Sequence, residues 1–293
     1  MRIAIAIATT GRAALLQQTV PTMLTQTRAP DRFLVAAASP GDVEGLAAVD
    51  PRVEIIIAPR GASAQRNAAL NHLSGDCEAI VFFDDDFVPS THYIAETERL
   101  FSAYADVAAL TGWVVEDGVH TGGISFESAV ATMRAPPAPA PSPGGAEIWD
   151  VNHVYGCNMA VRMPAAAEVG FDERLPLYSW QEDRDFSRRL SRRGRIVRSH
   201  LLTGVHLGVT KGRSPGLRLG YSQVANPLYL LRKGTMRPFE TASLVARNVA
   251  ANAVRVFKPE PWIDRAGRLR GNMLALADAA RGRITPERIL DFK

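Results

Sequence analysis

The stretch from Ala79 to Asp86 constrains the fold of this chain more than any other part of the sequence. Residues Ala79 to Phe83 are all apolar and do not alternate with polar residues, which is typical of a central parallel strand covered by helices on both faces. Three carboxylates follow directly, Asp84, Asp85 and Asp86. Open α/β sheets bind ligands at the carboxyl ends of their strands, and adjacent carboxylates repel one another unless a cation neutralises them. We therefore expect a cation site at this edge, with a solvated acidic turn as the alternative.

The sequence around this stretch alternates between strand and helix patterns. Strands are predicted at 1–8, 33–38, 53–57, 79–83 and 107–115, with further strand structure within 148–161 and near 196–197. Helices are predicted at 13–27, 64–73, 92–104 and, briefly, from 164 to 170. Such alternation indicates a parallel sheet with right-handed crossovers. The helix at 64–73 starts at the same sheet edge, so we expect its N-terminus to favour an anion.

Length and composition limit the class of protein. A chain of 293 residues with 46% hydrophobic content can bury one large core or two modest ones. The apolar run at 1–8 is too short for a signal sequence or a membrane span, because Thr9 and Thr10 follow at once. The two cysteines, Cys77 and Cys157, indicate neither a disulfide framework nor a cysteine metal site, so we expect a reducing, cytoplasmic location.

The net charge of +4 is the sum of two unequal parts. Residues 1–183 contain 11 Lys+Arg and 23 Asp+Glu, whereas residues 184–293 contain 23 and 7. A basic region can contact nucleic acid, an anionic membrane or a phosphorylated substrate, or its arginines can simply solvate helices. No nucleic-acid motif is present, so nucleic acid is not expected as a partner. We expect peripheral contact with the inner face of a membrane, with ordinary helix packing as the alternative.

A second acidic motif follows Tyr178. Glu182 and Asp183 stand at the start of a predicted helix that Gly194 ends, where acidic residues also serve as plain helix caps. His206 lies among small residues and can be either a ligand or a structural histidine. Beyond it, helices are predicted at 219–231, 239–257 and 269–280.

A Pro-rich segment separates the two acidic motifs. Residues 134–145 contain proline and glycine at most positions, so they cannot form a helix or a central strand. We expect an extended, mobile loop there, bordering an acceptor cleft or forming a passive surface insertion.

The motifs, taken in order, resemble those of the family 2 glycosyltransferases, inverting enzymes of the GT-A fold that use nucleotide-diphosphate sugars. The resemblance covers residues 1–215 and rests on five segments: 3–12 for the first strand and turn, 61–67 for Gly-x-x-x-x-Arg-Asn, 84–86 for Asp-x-Asp, 156–159 for Gly-x-Asn and 182–190 for Glu-Asp. It implies an α/β GT-A domain at 1–215, with a mixed, mostly parallel sheet flanked by helices. Residues 216–293 would form a basic helical extension.

The resemblance also implies roles for individual residues. Asp183 would be the catalytic base, because direct inversion needs one base facing the acceptor hydroxyl, and Glu182 would bind the acceptor. Donor contacts are expected from Thr9, Thr10, Arg12, Arg66, Asp84 and Asp85. Acceptor contacts are expected from Gly156, Asn158, Trp180 and Glu182. The expected ligands of Mn²⁺ or Mg²⁺, which prefer hard oxygen atoms, are Asp86 and Asp84, with His206.

One departure from the family pattern leaves the nucleotide open. The family usually places an Asp at the end of the second strand to read the nucleobase, but residues 36–42 here read Ala-Ala-Ala-Ser-Pro-Gly-Asp. Ser39, Asp42 or backbone groups could substitute, so UDP, GDP and dTDP sugars all remain candidates. The expected acceptor is a saccharide or a lipid-linked molecule, in surface polysaccharide or glycoconjugate synthesis.

The sequence leaves two alternative functions open. A sugar-nucleotide nucleotidyltransferase would start with a Gly-rich loop containing Lys or Arg, which the residues from Thr9 to Arg12 do not reproduce. A non-catalytic nucleotide-sugar-binding protein would not need the intact pair Glu182 and Asp183.

Overall fold

The computed structural model describes residues 1–119, 121–135, 142–209 and 215–292. The strands of this part of the chain are β1 Ile3–Thr9, β2 Arg32–Ala37, β3 Val53–Ile57, β4 Ala79–Asp84, β5 Phe87–Pro89, β6 Val107–Asp117, β7 Ile148–Asp150, β8 Asn158–Arg162 and β9 Arg195–His206. The helices are α1 Ala13–Leu24, α2 Ala62–Leu73, α3 Tyr93–Ala103, α4 Phe126–Arg134, α5 Met163–Val169, α6 Glu182–Leu190, α7 Gly216–Lys233, α8 Pro238–Arg255 and α9 Arg265–Ala280.

The strands form one mixed sheet in the order β3-β2-β1-β4-β8-β6-β9-β5, with β7 paired to β9. In the half of the sheet formed by β3, β2, β1 and β4, each strand is parallel to its neighbours, whereas β8 is antiparallel to both β4 and β6. Strand β9 runs parallel to β6 and antiparallel to β5 and β7. The predicted mixed, mostly parallel sheet between helices is therefore confirmed.

The core lies on both faces of the sheet. On one face, Ile5 and Phe83 pack with the apolar side of α1. On the other face, Ile80 and Phe82 pack with α2, α5 and α6. Because β1 and β4 are covered on both sides, every residue from 79 to 83 is buried, and this explains the missing alternation in the sequence.

Three elements differ from the sequence-based expectation. Strand β9 has 12 residues, although only a short strand near 196–197 was predicted, because pairing with β5, β6 and β7 holds its polar residues in extended backbone. Helix α4 and strand β5 were not predicted. Residues 136–141 of the predicted Pro-rich loop lie outside the described residues, and Pro143–Gly145 forms a 3₁₀ turn.

The C-terminal helices pack against the sheet domain. Helices α7 and α9 approach closely at Gly220 and Gly271, where an added Cβ would lie 2.1–2.2 Å from a backbone oxygen of the other helix. Helix α7 also contacts α6 and the segment before it, since Lys233 pairs with Asp185 at 2.8 Å and Asn226 donates to the backbone oxygen of Trp180 at 2.8 Å. The domain division at residue 215 stays a prediction. None of the described helices is long and apolar enough to cross a membrane.

Candidate active site

The three aspartates after β4 point to different partners. Asp85 is buried and accepts hydrogen bonds from Thr9 Oγ1 at 2.8 Å and Arg12 Nη1 at 2.6 Å. Burial raises the pKa of Asp85 to about 6, even though Arg12 opposes the shift. Asp86 is also buried, and its carboxylate accepts from the backbone N–H of Val209 at 2.9 Å. Asp85 therefore holds the β1–α1 turn next to the acidic cluster. The two flanking aspartates, Asp84 and Asp86, are the ones that could bind a ligand.

Asp84, Asp86 and His206 form a group that could hold a metal ion. One ligand atom from each residue lies within 4.8 Å of the others. They meet because β5, which follows the cluster, pairs with the end of β9 so that Phe87 stands opposite His206. The structure thus brings together the three residues expected to bind metal.

His206 is oriented by a residue that the sequence analysis missed. Its Nδ1 lies 3.0 Å from Asp117 Oδ1 and its Nε2 lies 3.3 Å from Asp86 Oδ1. Asp117 and His206 are register partners on β6 and β9, and Tyr155 donates to the second oxygen of Asp117 at 2.8 Å. Burial would lower the pKa of His206, but the two carboxylates outweigh it and raise the pKa to about 10. The feature of the sequence that could have identified Asp117 is that a carboxylate stands close to the end of a predicted strand.

The donor set fits a divalent cation. A histidine whose Nδ1 is held by a carboxylate presents its Nε2 on the opposite side, and this pairing is common around metal-bound histidines. Here Nε2 faces Asp86 at 3.3 Å, so a bound cation would take the place of the proton between them. Asp84 and Asp86 supply the hard oxygen atoms that Mg²⁺ and Mn²⁺ prefer, and imidazole nitrogen is acceptable to a transition metal such as Mn²⁺. The residues present are therefore suited to such an ion.

Glu182 and Asp183 start α6 in different environments. Glu182 is buried and bonds to Arg66 Nη1 at 2.5 Å. Burial and the adjacent Asp183 raise the pKa of Glu182 to about 8, against the lowering effect of Arg66. Asp183 is half-buried, and its Oδ2 accepts from the backbone N–H of Gly156 at 3.3 Å. Of the two carboxyl groups, Asp183 is the one that solvent or a substrate can reach more easily.

Arg66 connects the two acidic centres. Besides its bond to Glu182, its Nη2 lies 3.0 Å from Asp84 Oδ1 and 3.0 Å from the backbone oxygen of Gly156. A Cβ at Gly156 would lie 3.2 Å from Glu182 Oε1, so a side chain there would crowd this arrangement. The predicted donor contact Arg66 is thus buried within the protein, bonded to groups of both centres.

The segment just before α6 contains three non-glycine residues in left-handed backbone conformation, Leu177, Ser179 and Gln181, with φ of 58°, 52° and 77°. The first N–H groups of α2 hold this segment, because Ala62 N donates to Leu177 O at 2.8 Å and Ser63 N donates to Ser179 Oγ at 3.2 Å. Two donors of this helix end, Ala62 N and Ser63 N, are therefore used by residues 177–179, and the expectation that the end favours an anion stays a prediction. Strained backbone of this kind persists only where surrounding contacts hold it.

Three further residues with predicted roles differ in exposure. Asn158 is fully buried in β8, with its Oδ1 accepting from Thr111 Oγ1 at 2.7 Å, so its side chain supports the sheet. Its Nδ2 has no hydrogen-bond partner among the described residues, and the expected contact of Asn158 with an acceptor stays a prediction. Trp180 is half-buried in the strained segment, and Thr10 is half-buried at the end of β1.

Asp42 is the carboxylate nearest in sequence to the end of β2. Its two oxygens accept from the backbone N–H groups of Gly11 at 2.6 Å and Ser39 at 2.8 Å. Ser39 and Asp42, which could substitute for the missing Asp that reads the nucleobase, thus help to hold the β1–α1 turn in place. Whether either one also contacts a nucleobase stays a prediction.

Comparisons with known proteins agree with this geometry. The model of the family described as Glycosyl transferase family 2 matches residues 4–170. No curated protein sequence matches the chain. One similar solved structure is described as the mannosyltransferase PcManGT from Pyrobaculum calidifontis in complex with GDP-Man and Mn²⁺; it has 18% sequence identity and a TM-score of 0.58, over 99% of this chain and 84% of that chain. At this identity the likeness shows the fold, which is GT-A. Because the family model covers more than half of its residues, the chain belongs to glycosyl transferase family 2 and is a glycosyltransferase.

Proposed function

We propose that this enzyme is an inverting, metal-dependent transferase that moves a hexose-like residue from a nucleoside-diphosphate sugar to a hydroxyl group of a saccharide or lipid-linked acceptor. The observation that carries the proposal is the link between two acidic centres. Asp84, Asp86 and His206 form one of them, Glu182 and Asp183 form the other, and Arg66 contacts both. The setting would be surface polysaccharide or glycoconjugate synthesis in the cytoplasm, at the inner face of a membrane.

On the donor side, Asp84, Asp86 and His206 would hold Mn²⁺ or Mg²⁺. Such an ion, when bound, offsets the negative charge that develops on a departing diphosphate. Asp117 keeps His206 oriented through Nδ1, and Arg12 brings a positive charge next to Asp85 and Asp86. Donor contacts are proposed for Thr10 and Arg12 directly, and for Thr9 and Asp85 through the turn that they hold.

On the acceptor side, Asp183 would act as the general base. The hydroxyl oxygen forms a bond to the anomeric carbon, its proton goes to Asp183, and the bond from that carbon to the diphosphate oxygen breaks with its electron pair. Glu182, held by Arg66, would position the acceptor, together with Trp180 and the backbone at Gly156. Attack opposite the departing group gives the inverted anomer.

The proposal is tested first by ligand stabilisation and then by product analysis. Thermal unfolding is followed with GDP-mannose, UDP-sugars and dTDP-sugars, each with Mn²⁺, Mg²⁺ or a chelator. GDP-mannose comes first because the similar mannosyltransferase structure contains GDP-Man. A donor at one hundred times its dissociation constant adds about 2.7 kcal/mol to the free energy of unfolding.

With the preferred donor, NMR of the product anomer then reports the stereochemistry. A transferred sugar with inverted configuration and a metal requirement supports the proposal. A retained anomeric configuration, or equal turnover in the presence of chelator, contradicts it.

A further inference from the structure

Within the part of the chain that the structure describes, helix α8 packs one of its faces against the protein. Leu244, Val245 and Val249 are partly buried and pack with the clusters of the C-terminal helices. Thr241 and Asn252 are buried on the same side, and Asn252 donates to Gln223 of α7 and Asn272 of α9 at 2.8 Å. These contacts fix which side of α8 faces outward.

The outward face of α8 has exposed apolar residues from its first turn to just beyond its end, with the polar Ser243 lying among them. Phe239, Val254 and Phe257, the last just beyond the helix end, are 83%, 72% and 89% exposed. The exposed alanines Ala242, Ala246 and Ala250 lie between them. At 3.6 residues per turn, these six positions form one stripe, about 27 Å long for an 18-residue helix.

Such a stripe is unusual on a surface helix. A helix that packs one apolar face normally turns charged and polar residues to water, and a helix that is apolar all round is normally buried. Scattered single apolar residues need no explanation, but an exposed contiguous stripe indicates a contact surface. The outward face of α8 therefore has the composition of a surface that is covered in the working protein.

The charges beside the stripe indicate what covers it. Between residues 237 and 258 there are four basic side chains, Arg237, Arg247, Arg255 and Lys258, and one acidic side chain, Glu240. All four basic residues are exposed. An apolar stripe with basic residues at its margins fits the boundary between anionic lipid headgroups and acyl chains, where basic side chains are attracted to the surface.

The position of α8 relates this surface to the acceptor side of the active site. Helix α8 directly follows α7, whose Asn226 bonds to the backbone of Trp180 and whose Lys233 pairs with Asp185 of α6. We propose that the outward face of α8 docks on an anionic membrane surface and so brings the acceptor side of the site to a lipid-linked acceptor. The inference rests on the proposed function only for the identity of that acceptor.

The test is vesicle co-sedimentation of the full chain without donor, metal or acceptor. Vesicles of phosphatidylcholine alone are compared with vesicles that also contain phosphatidylglycerol, over a series of salt concentrations. The test variant is Phe239→Ser with Phe257→Ser. The matched control is Ile57→Ser, because Ile57 is 54% exposed on β3 at the far edge of the sheet.

The wild type and Ile57→Ser are expected to bind the anionic vesicles more strongly than the neutral ones, and less strongly as salt rises. Each phenylalanine removed should lower the partition coefficient about tenfold, so the double variant should lose about a hundredfold. Circular dichroism of the double variant should be unchanged, because both side chains are exposed.

Equal binding of the double variant and the wild type would overturn the inference. Equal binding of the wild type to both kinds of vesicle would also overturn it. The same holds if the wild type binds no vesicles and light scattering detects a dimer that the double variant does not form. Donor turnover with a soluble acceptor is measured on the same preparations. Vesicle binding without turnover would count against the proposed function alone, and turnover without vesicle binding would count against the docking surface alone.

Discussion

The two acidic centres of the active site differ in what holds them. Asp84, Asp86 and His206 follow or end paired strands, and Asp117 reaches His206 from the register position beside it on β6. Glu182 and Asp183 instead follow a loop with three left-handed, non-glycine residues. The first centre is positioned by backbone pairing within the sheet, whereas the second is positioned by contacts from α2 and α7 on a strained segment.

This difference separates the two proposed tasks of the site. Sheet pairing places the proposed cation site, and Asp117 on the neighbouring strand orients His206. The base-side segment depends on bonds from distant elements, namely Ala62 and Ser63 of α2 and Asn226 of α7. The C-terminal helices therefore support the segment that precedes the proposed base. The four predictions below, ordered by size, test this contrast.

The largest effect is expected from the sheet-edge centre. Asp86→Asn keeps the size of the side chain but removes a ligand charge, so metal-dependent binding of a nucleoside diphosphate should be lost and turnover should fall about a thousandfold. Calorimetry with Mn²⁺ and the nucleotide measures the binding, with Asp291→Asn as an exposed control. Undiminished affinity in Asp86→Asn would remove Asp86 from the metal site.

On the base side, Asp183→Asn should separate chemistry from binding. The amide keeps the shape and cannot take the acceptor proton, so transfer should fall by roughly a hundredfold or more while donor and metal affinity persist. Glu182→Gln should be milder and weigh more on the KM for the acceptor. Steady-state kinetics of both variants measure this. If Glu182→Gln lost transfer and Asp183→Asn kept it, the two roles would be exchanged.

Arg66→Met tests the connection between the centres. It leaves Glu182 and the backbone oxygen of Gly156 without their buried partner, so the free energy of unfolding should fall by about 3 kcal/mol. Arg12→Met, at the margin of the sheet-edge centre, should cost less, because Asp85 keeps its bond from Thr9. Denaturant unfolding compares the two variants. An equal loss of unfolding free energy in both variants would show that Arg66 contributes no more to stability than Arg12.

The smallest effect concerns the strained segment. Gln181 has φ of 77° and its side-chain oxygen is buried without a hydrogen-bond partner in the described residues. Gln181→Gly should therefore raise the free energy of unfolding by up to about 1 kcal/mol through relief of left-handed strain. Gln181→Ala keeps the Cβ and is the matched control. Equal stabilisation by both variants in thermal unfolding would mean that strain is not the cause.

Much of the parallel half of the fold could be predicted from the sequence. The buried strand at 79–83, strand β3 and helix α5 are close to their expected bounds, because apolar periodicity and the flanking Pro and Gly residues are local signals. Strand β9 was predicted too short, since residues such as Arg198 and His200 give no strand pattern. Its length is set by pairing with β5, β6 and β7.

The sequence by itself determined the chemistry available at the sheet edge: carboxylates directly after a buried strand, and a second acidic pair at a helix start. Only the tertiary structure decided how these groups are used. It separated Asp85 from Asp84 and Asp86, joined His206 to Asp117 across β6 and β9, buried Asn158 and placed Arg66 between the two centres. The reason is physical. Side-chain periodicity depends on neighbours a few residues away, whereas strand register and side-chain direction depend on partners that are far apart in the chain.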